Sequence, residues 1–374
     1  MRKTIFFVLL LTSALIGCKH CKDSQPQTAG GDTIQMAYAR HITMIDHDNY
    51  TVVSLENPWE KGQTLQRYVL VDRKDSARVK DLPEGTVVYT PVKSSVVFTS
   101  PHCYLLSALG AEGSIKGVCD ARYINLQSIR KGVQTGHIAD CGNSMNPDIE
   151  RIVELRPQAI LLSPYENSNY SQLTRTGTPL ILCAEYMETS ALGRAEWMRF
   201  YGRLFGCDRQ ADSLFQVVES TYTKLKRAAS SAKHHPTVIT ERKTGSVWYC
   251  PGGNSTMSQL LTDAGARYPF ASDKHSGSLA LSSETVIDKA HNADIWLFVY
   301  SGNIAPTRFD LLAEYEGYKQ IKAFTERKIF GCSNTATLYF EESTFRPDLL
   351  MRELTALFGT VPSPGYKPRY YKRI

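Results

Sequence analysis

The stretch Met145-Asn146-Pro147-Asp148-Ile149-Glu150-Arg151-Ile152-Val153-Glu154-Leu155-Arg156-Pro157-Gln158-Ala159-Ile160-Leu161-Leu162 decides the fold. Pro147 opens a helix that runs to Leu155, and Pro157 breaks it. Ala159-Ile160-Leu161-Leu162 is a short, unbroken apolar run, the pattern of a strand buried on both faces. The same grammar recurs on either side. Val96-Val97-Phe98-Thr99 reads as a buried strand, Ser100-Pro101-His102 as a loop, and Tyr104 to Leu109 as a helix stopped by Gly110. Pro179-Leu180-Ile181-Leu182 is another buried strand. Strands alternating with helices predict an α/β unit with a parallel sheet.

Residues 208–233 differ. Ala211, Leu214, Phe215, Val218, Tyr222, Leu225 and Ala229 keep helical spacing with no Gly or Pro between them. Those residues would form one rod of about 39 Å. Beyond it, the α/β pattern restarts at Thr237-Val238-Ile239, and an internal repeat appears. Leu105-Leu106-Ser107-Ala108-Leu109-Gly110-Ala111 matches Leu260-Leu261-Thr262-Asp263-Ala264-Gly265-Ala266. Glu150, Ile152, Val153, Glu154 and Ala159 match Glu284, Val286, Ile287, Asp288 and Ala293 in the same order. Two ordered matches predict two lobes of related architecture, 95–207 and 236–374, joined by a connecting helix at 208–235. A cleft between lobes is where small ligands bind.

The rest of the chain frames this body. With 374 residues, two domains are expected. The composition is 42% hydrophobic and 21% charged, which excludes a disordered, collagenous or coiled-coil chain. Mean hydropathy is −0.27, and past residue 17 no apolar run approaches the roughly 18 residues a membrane span requires. The net charge of +6 is small and unclustered, giving nucleic-acid binding no support. At the start, Arg2-Lys3 precede Ile5-Phe6-Phe7-Val8-Leu9-Leu10-Leu11, and Leu15-Ile16-Gly17-Cys18 follows. This reads as a signal peptide over 1–17, with Cys18 the lipidated residue of a bacterial lipobox. Residues 18–37 then read as a flexible tether, and 38–94 as a small β-rich extension carrying Tyr50–Leu55, Arg67–Val71 and Leu82–Tyr89. Eight cysteines besides Cys18 form no disulfide framework by spacing and read mostly as buried small hydrophobes.

Catalytic signals are absent: the chain has no H-E-x-x-H, P-loop or G-x-S-x-G, and its nine histidines show no metal spacing. What stands out is polar and aromatic residues in strand-end loops, where open α/β sheets form their ligand crevice. The candidates are His102, Tyr104, Arg122, Tyr123, Asn143, Tyr165, Tyr186, Trp248, Tyr249, Tyr300 and Arg346. Rings offer flat contact area at low entropic cost, and Arg pairs with anionic chelates.

Three segments resemble a known family. Met145 to Leu161 resembles the N-L-E-x-I-x-x-L-x-P-D-L-V pattern of class III ABC-importer substrate-binding proteins, the group of vitamin B12, ferric-siderophore and haem binders. Ser282-Ser283-Glu284-Thr285-Val286 resembles its second-lobe S-x-E-x-(V/L), and Arg346-Pro347-Asp348-Leu349-Leu350 its closing helix start. Leu192-Gly193-Arg194-Ala195-Glu196-Trp197 resembles bacteroidete-type members. The resemblance covers about 95–358. It implies two Rossmann-like lobes that move little, no enzyme activity, no resident cofactor or metal, and a monomer. It also implies a metal-chelate cargo: ferric siderophore first, then cobalamin, then haem. The implied partners are an ABC permease and its ATPase, with Glu150 and Glu284 docking the permease. In that reading the protein is extracytoplasmic and touches the membrane through its lipid only. The rivals are an enzyme on the same lobes, which would need a catalytic constellation in the cleft, and a surface scaffold built on the extension.

Overall fold

The computed structural model describes residues 30–374. The expected signal peptide, Cys18 and most of the expected tether lie outside the described residues. The chain is a two-lobed α/β protein with a β-rich extension in front of the first lobe.

The extension is a five-stranded sheet in chain order: Asp32–Ile34, Ile42–Asp46, Tyr50–Glu56, Thr64–Asp72 and Thr86–Thr90. The first three pairings are antiparallel and the last is parallel. Two of these strands lie outside the strands read from sequence, and one changes the tether. Thr33 pairs with Ile45 and Ile34 with Met44, so the expected tether over 18–37 gives way to ordered sheet by residue 32. Polar, Gly-rich composition concealed a strand whose stability comes from a partner rather than from propensity. The extension shares its core with the first lobe. The Tyr68 hydroxyl donates to Leu180 O (3.0 Å) and accepts from the Leu182 N–H (2.8 Å), fastening the sheet to the lobe's edge strand.

The first lobe carries a parallel sheet in the order Leu180–Leu182, Ala159–Leu162, Ser95–Val97, Ile115–Val118, Ala139–Asp140. The deciding stretch folds as read, with one refinement. The helix is Ile149–Leu155, and Asp148, not Pro147, begins it by accepting the Arg151 N–H at 2.9 Å. Asp208–Ser230 is the connecting helix. It buries Ala211, Phe215, Val218, Tyr222 and Ala229 against Met198–Phe205 on one side and Pro347–Phe358 on the other. The second lobe has the parallel strands Val238–Thr240, Ile295–Tyr300 and Ile329–Ser333, with Tyr371–Arg373 added antiparallel at the edge. A three-stranded sheet of Lys243–Thr244, Val247–Pro251 and Ser278–Leu281 flanks it.

The internal repeat falls on equivalent elements. Ser100–Ala108 and Thr256–Asp263 are helices followed by Gly110 (φ +78°) and Gly265 (φ +86°), a left-handed conformation that favours glycine. Glu150 and Glu284 each stand exposed in the first turn of a helix capped by Asp148 or Ser282. The seven described cysteines are all free, and six are buried.

Four buried carboxylates hold the two ends of the described chain. Glu196 accepts the N–H groups of Ala37, Tyr38 and Ala39, each at 2.8 Å. Glu188 accepts those of Arg40 and His41 and the Trp197 indole N–H. Glu353 accepts the N–H groups of Arg369, Tyr370 and Tyr371, while Glu342 takes the Arg369 guanidinium and the Tyr370 hydroxyl. Removing one of these carboxylates strands several buried donors. Glu196→Ala and Glu353→Ala are each expected to lower stability by about 3–5 kcal/mol in urea unfolding. Glu150→Ala, on the exposed helix start, should stay within about 0.5 kcal/mol.

Candidate functional site

The carboxyl ends of the first lobe's strands form one rim. Thr99 follows Ser95–Val97, Asp120 follows Ile115–Val118, and Ser163 follows Ala159–Leu162. Between Asp140 and the helix at Ile149 the chain makes a small hairpin in which Asn143 pairs with Asn146. The hairpin rests on Asp120, itself left-handed (φ +51°), whose carboxylate accepts the backbone N–H and hydroxyl of Ser144. Asn143 Oδ1 accepts the Met145 N–H at 2.8 Å, turning the tip so that Met145 stands 71% exposed. The loop after Ala159–Leu162 is pinned by the Tyr186 hydroxyl on Pro164 O.

These loops enclose a concavity of about 460 Å³. Phe98, Met145, Tyr165 and Tyr170 supply apolar and aromatic surface, and Asn146 and Gln172 supply amides. No Lys, Arg, His, Asp or Glu lines it. Tyr165 and Tyr170 meet edge to face at 6.4 Å, and the buried Tyr170 hydroxyl has no hydrogen-bond partner among the described residues. The concavity is therefore uncharged and ring-walled.

The second lobe brings its own strand ends to the same side. Asn125, just past the Asp120 loop, donates from its backbone to Glu341 Oε1 (2.8 Å) and from its amide to Asn334 O (2.7 Å). Asn334 follows Ile329–Ser333, so loops at the carboxyl ends of both sheets meet there. Glu241, one residue past Val238–Thr240, is held at φ +60° and is largely buried. Burial raises its carboxyl to about 7, against the opposing pull of the Val299 N–H and the Arg242 charge. Nothing in the sequence marks it, because its neighbours are scattered in the chain.

Of the residues expected to touch ligand, Tyr165 lines the concavity, while Asn143 and Tyr186 shape its loops. Arg122 stacks on Tyr123 at 4.6 Å on the neighbouring loop, where Tyr123 is 62% exposed. Tyr249 is half-exposed on the small three-stranded sheet. Other positions are corrected. His102 is buried because the helix starts at Ser100, a turn earlier than read, which aims the ring inward. It lies 3.2 Å from Glu185 and 3.0 Å from the Tyr201 hydroxyl, out of reach of a ligand. Trp248 is buried too. Strand alternation turns it inward and Tyr249 outward, and its indole N–H donates to Thr240 O. Tyr300 is buried beside Phe298. Half-buried Tyr104 lies against Arg346, whose guanidinium is engaged by both Asp348 oxygens at 2.8 Å. Tyr170, Met145 and Gln172 are the site residues that sequence reasoning passed over. The one-turn helix Ser171–Thr174 that carries Gln172 is too short to show a period.

The chain belongs to the periplasmic binding protein family, whose sequence model matches residues 96–336. An uncharacterized lipoprotein of Methanocaldococcus jannaschii, MJ0878, is 23% identical over 97% of this chain and 94% of its own length. Among solved structures, an ABC-type Fe3+-hydroxamate transport protein from Saccharomonospora viridis is similar with a TM-score of 0.56. It is 17% identical and covers 72% of this chain and 94% of its own. The periplasmic heme-binding protein RhuT from Roseiflexus sp. RS-1 gives 0.53 at 19% identity, covering 71% and 98%. At such identities the likeness is one of fold.

Glu241 sets a pH dependence. Its folded value of about 7 lies above its ordinary 4.5, so the folded state holds the proton more tightly. The stability it contributes is full below pH 4.5 and is lost as pH rises through 7. Glu241→Gln, which keeps the shape and the backbone strain, should remove a decline on the order of 2–3 kcal/mol between pH 5 and pH 8. Urea midpoints of the two proteins at those pH values measure it; parallel curves would show that Glu241 ionises freely.

Proposed function

We propose that this protein is the extracytoplasmic, lipid-anchored receptor of an ABC importer, and that it captures a ferric siderophore between its lobes. The observation that carries the reading is the uncharged, aromatic and amide lining of the strand-end concavity, which is the first lobe's share of the site. A neutral hydroxamate chelate, in which three ligand anions cancel Fe3+, fits such a lining. An anionic chelate would have to shed water there with no cation to meet it. Cobalamin, with its amide periphery, is the second reading. Haem is third: its propionates call for cations, and His102 is committed to Glu185. The lipoprotein relative and the reading of Cys18 support the anchor.

Calorimetric titration of the full chain with a ferric tris-hydroxamate, a ferric tris-catecholate, cobalamin and haem tests the cargo. Saturable sub-micromolar binding of the hydroxamate is expected. Tyr165→Ala, at the exposed ring of the lining, should weaken it about 10- to 100-fold with little change in melting temperature. Binding of none of the four would sink the chelate reading. A protein begun at residue 38 would lack the first strand and the Ala37 contact to Glu196, so the chain must start further upstream.

Glu150 and Glu284 are proposed as the docking charges for the permease, one on each lobe. Charge reversal of both, Glu150→Lys with Glu284→Lys, should leave chelate affinity intact and abolish uptake in cells. Undiminished uptake would assign docking elsewhere.

A further inference from the structure

Behind the ligand rim, where the first lobe meets the second, four chemically distinct donors converge in an apolar pocket. His102 comes from the helix Ser100–Ala108, Cys183 and Glu185 from the end of the edge strand Leu180–Leu182, and Tyr201 from the helix Met198–Phe205. All four are at least 98% buried. One donor atom each from His102, Cys183 and Glu185 lie within 4.8 Å of one another, and no other such group of three exists among the described residues. Tyr201 closes the set: its hydroxyl is 3.0 Å from His102 Nε2 and 2.8 Å from a Glu185 oxygen. The other buried thiols have no such company.

We propose that His102, Cys183 and Glu185 form a structural site for a divalent transition metal of borderline softness, zinc foremost. The donor chemistry fits. Imidazole, thiolate and carboxylate are the three side-chain ligands zinc takes, at about 2.0–2.3 Å. That places neighbouring donors a little over 3 Å apart, and His102 Nε2 stands 3.2 Å from Glu185 Oε1. The charge fits as well. A divalent ion with one thiolate, one carboxylate and a neutral imidazole sums to zero, which suits a buried site, and the neutral Tyr201 hydroxyl, 3.0 Å from His102 Nε2 and 2.8 Å from Glu185, is the oxygen at hand for the fourth position. The surroundings are those of a ligand shell. His102 Nδ1 bonds Thr99 Oγ1, fixing the ring with Nε2 toward the cluster, and Tyr201 holds the second Glu185 oxygen. Phe345 of the second lobe packs edge-on against His102 (5.5 Å) and Tyr201 (5.8 Å), excluding solvent. The site ties the edge strand to two helices at the lobe junction; none of its three donors lines the concavity, and Thr99, which bonds His102, stands between the two.

The test uses the full chain in detergent, with no chelate added. Metal content is measured after dialysis against EDTA, and the protein is then unfolded, stripped and refolded with Co2+. One equivalent of cobalt is expected, with a near-ultraviolet thiolate-to-cobalt band. Cys183→Ser should remove the band, and Cys103→Ser, at a buried thiol outside the cluster, should keep it. Zinc should raise the melting temperature of the stripped wild type. A stripped wild type that refolds, shows no cobalt band and melts at the same temperature with and without zinc overturns the proposal, whether or not Cys183→Ser folds. Because the band reports on a thiol that does not itself line the concavity, its loss leaves the cargo reading standing, and failure to bind any chelate leaves the metal site standing.

Discussion

The hydrogen bonds between buried carboxylates and backbone N–H groups are the constraint on which the architecture rests. Glu188 and Glu196 fix the segment between the extension's first two strands, and Glu342 and Glu353 fix the segment at the strand Tyr371–Arg373. Each side chain is almost fully buried, so its charge is tolerable only because several donors converge on it. The arrangement is also reciprocal, because those N–H groups lie where a regular ladder does not reach them. The connecting helix Asp208–Ser230 packs between Met198–Phe205, next to the Glu196 clamp, and Pro347–Phe358, which carries Glu353. Both clamps and the helix thus make one frame.

That frame bears on function. A lobe can swing widely only if the junction has slack, and here the lobes are hydrogen-bonded to each other. Asn125 reaches Glu341 and Asn334, and the Thr256 hydroxyl reaches Glu188 O. Phe345 of the second lobe inserts its ring beside His102 and Tyr201 of the first. Large domain closure would break these contacts together, so small adjustments of the strand-end loops are the available motion. A concavity formed before the ligand arrives spends little entropy on ordering when it binds.

The sequence disclosed what depends on local pattern. Buried strands such as Ala159–Leu162, the long helix and the ordered repeat all show in residue spacing, and together they yield two lobes and a strut. Loops that hold ligand-facing groups were legible as loops. Which side chain in a loop points outward was not, because that depends on where a helix begins. His102 is the instructive case. Moving the helix start by a turn converts a loop histidine into a buried partner of Glu185. Trp248 and Tyr249 differ only in strand parity, which a pair of adjacent aromatics cannot reveal. Glu241 and the cluster at Cys183 arise from residues distant in the chain, and Asp32–Ile34 exists as a strand only because Ile42–Asp46 lies beside it.

The distribution of charge argues further about the cargo. The chain carries 43 basic and 37 acidic side chains, so an uncharged lining is not a consequence of composition. The charges on the adjacent Asp120 loop stand outside the lining: Asp120 accepts from Ser144, and Arg122 stacks on Tyr123. Against the proposed chelate cargo, neutral rings and amides would contact the organic shell and leave its metal untouched. Affinity then comes from shape and apolar burial, and discrimination from the cost of stripping water from any ligand that carries a net charge.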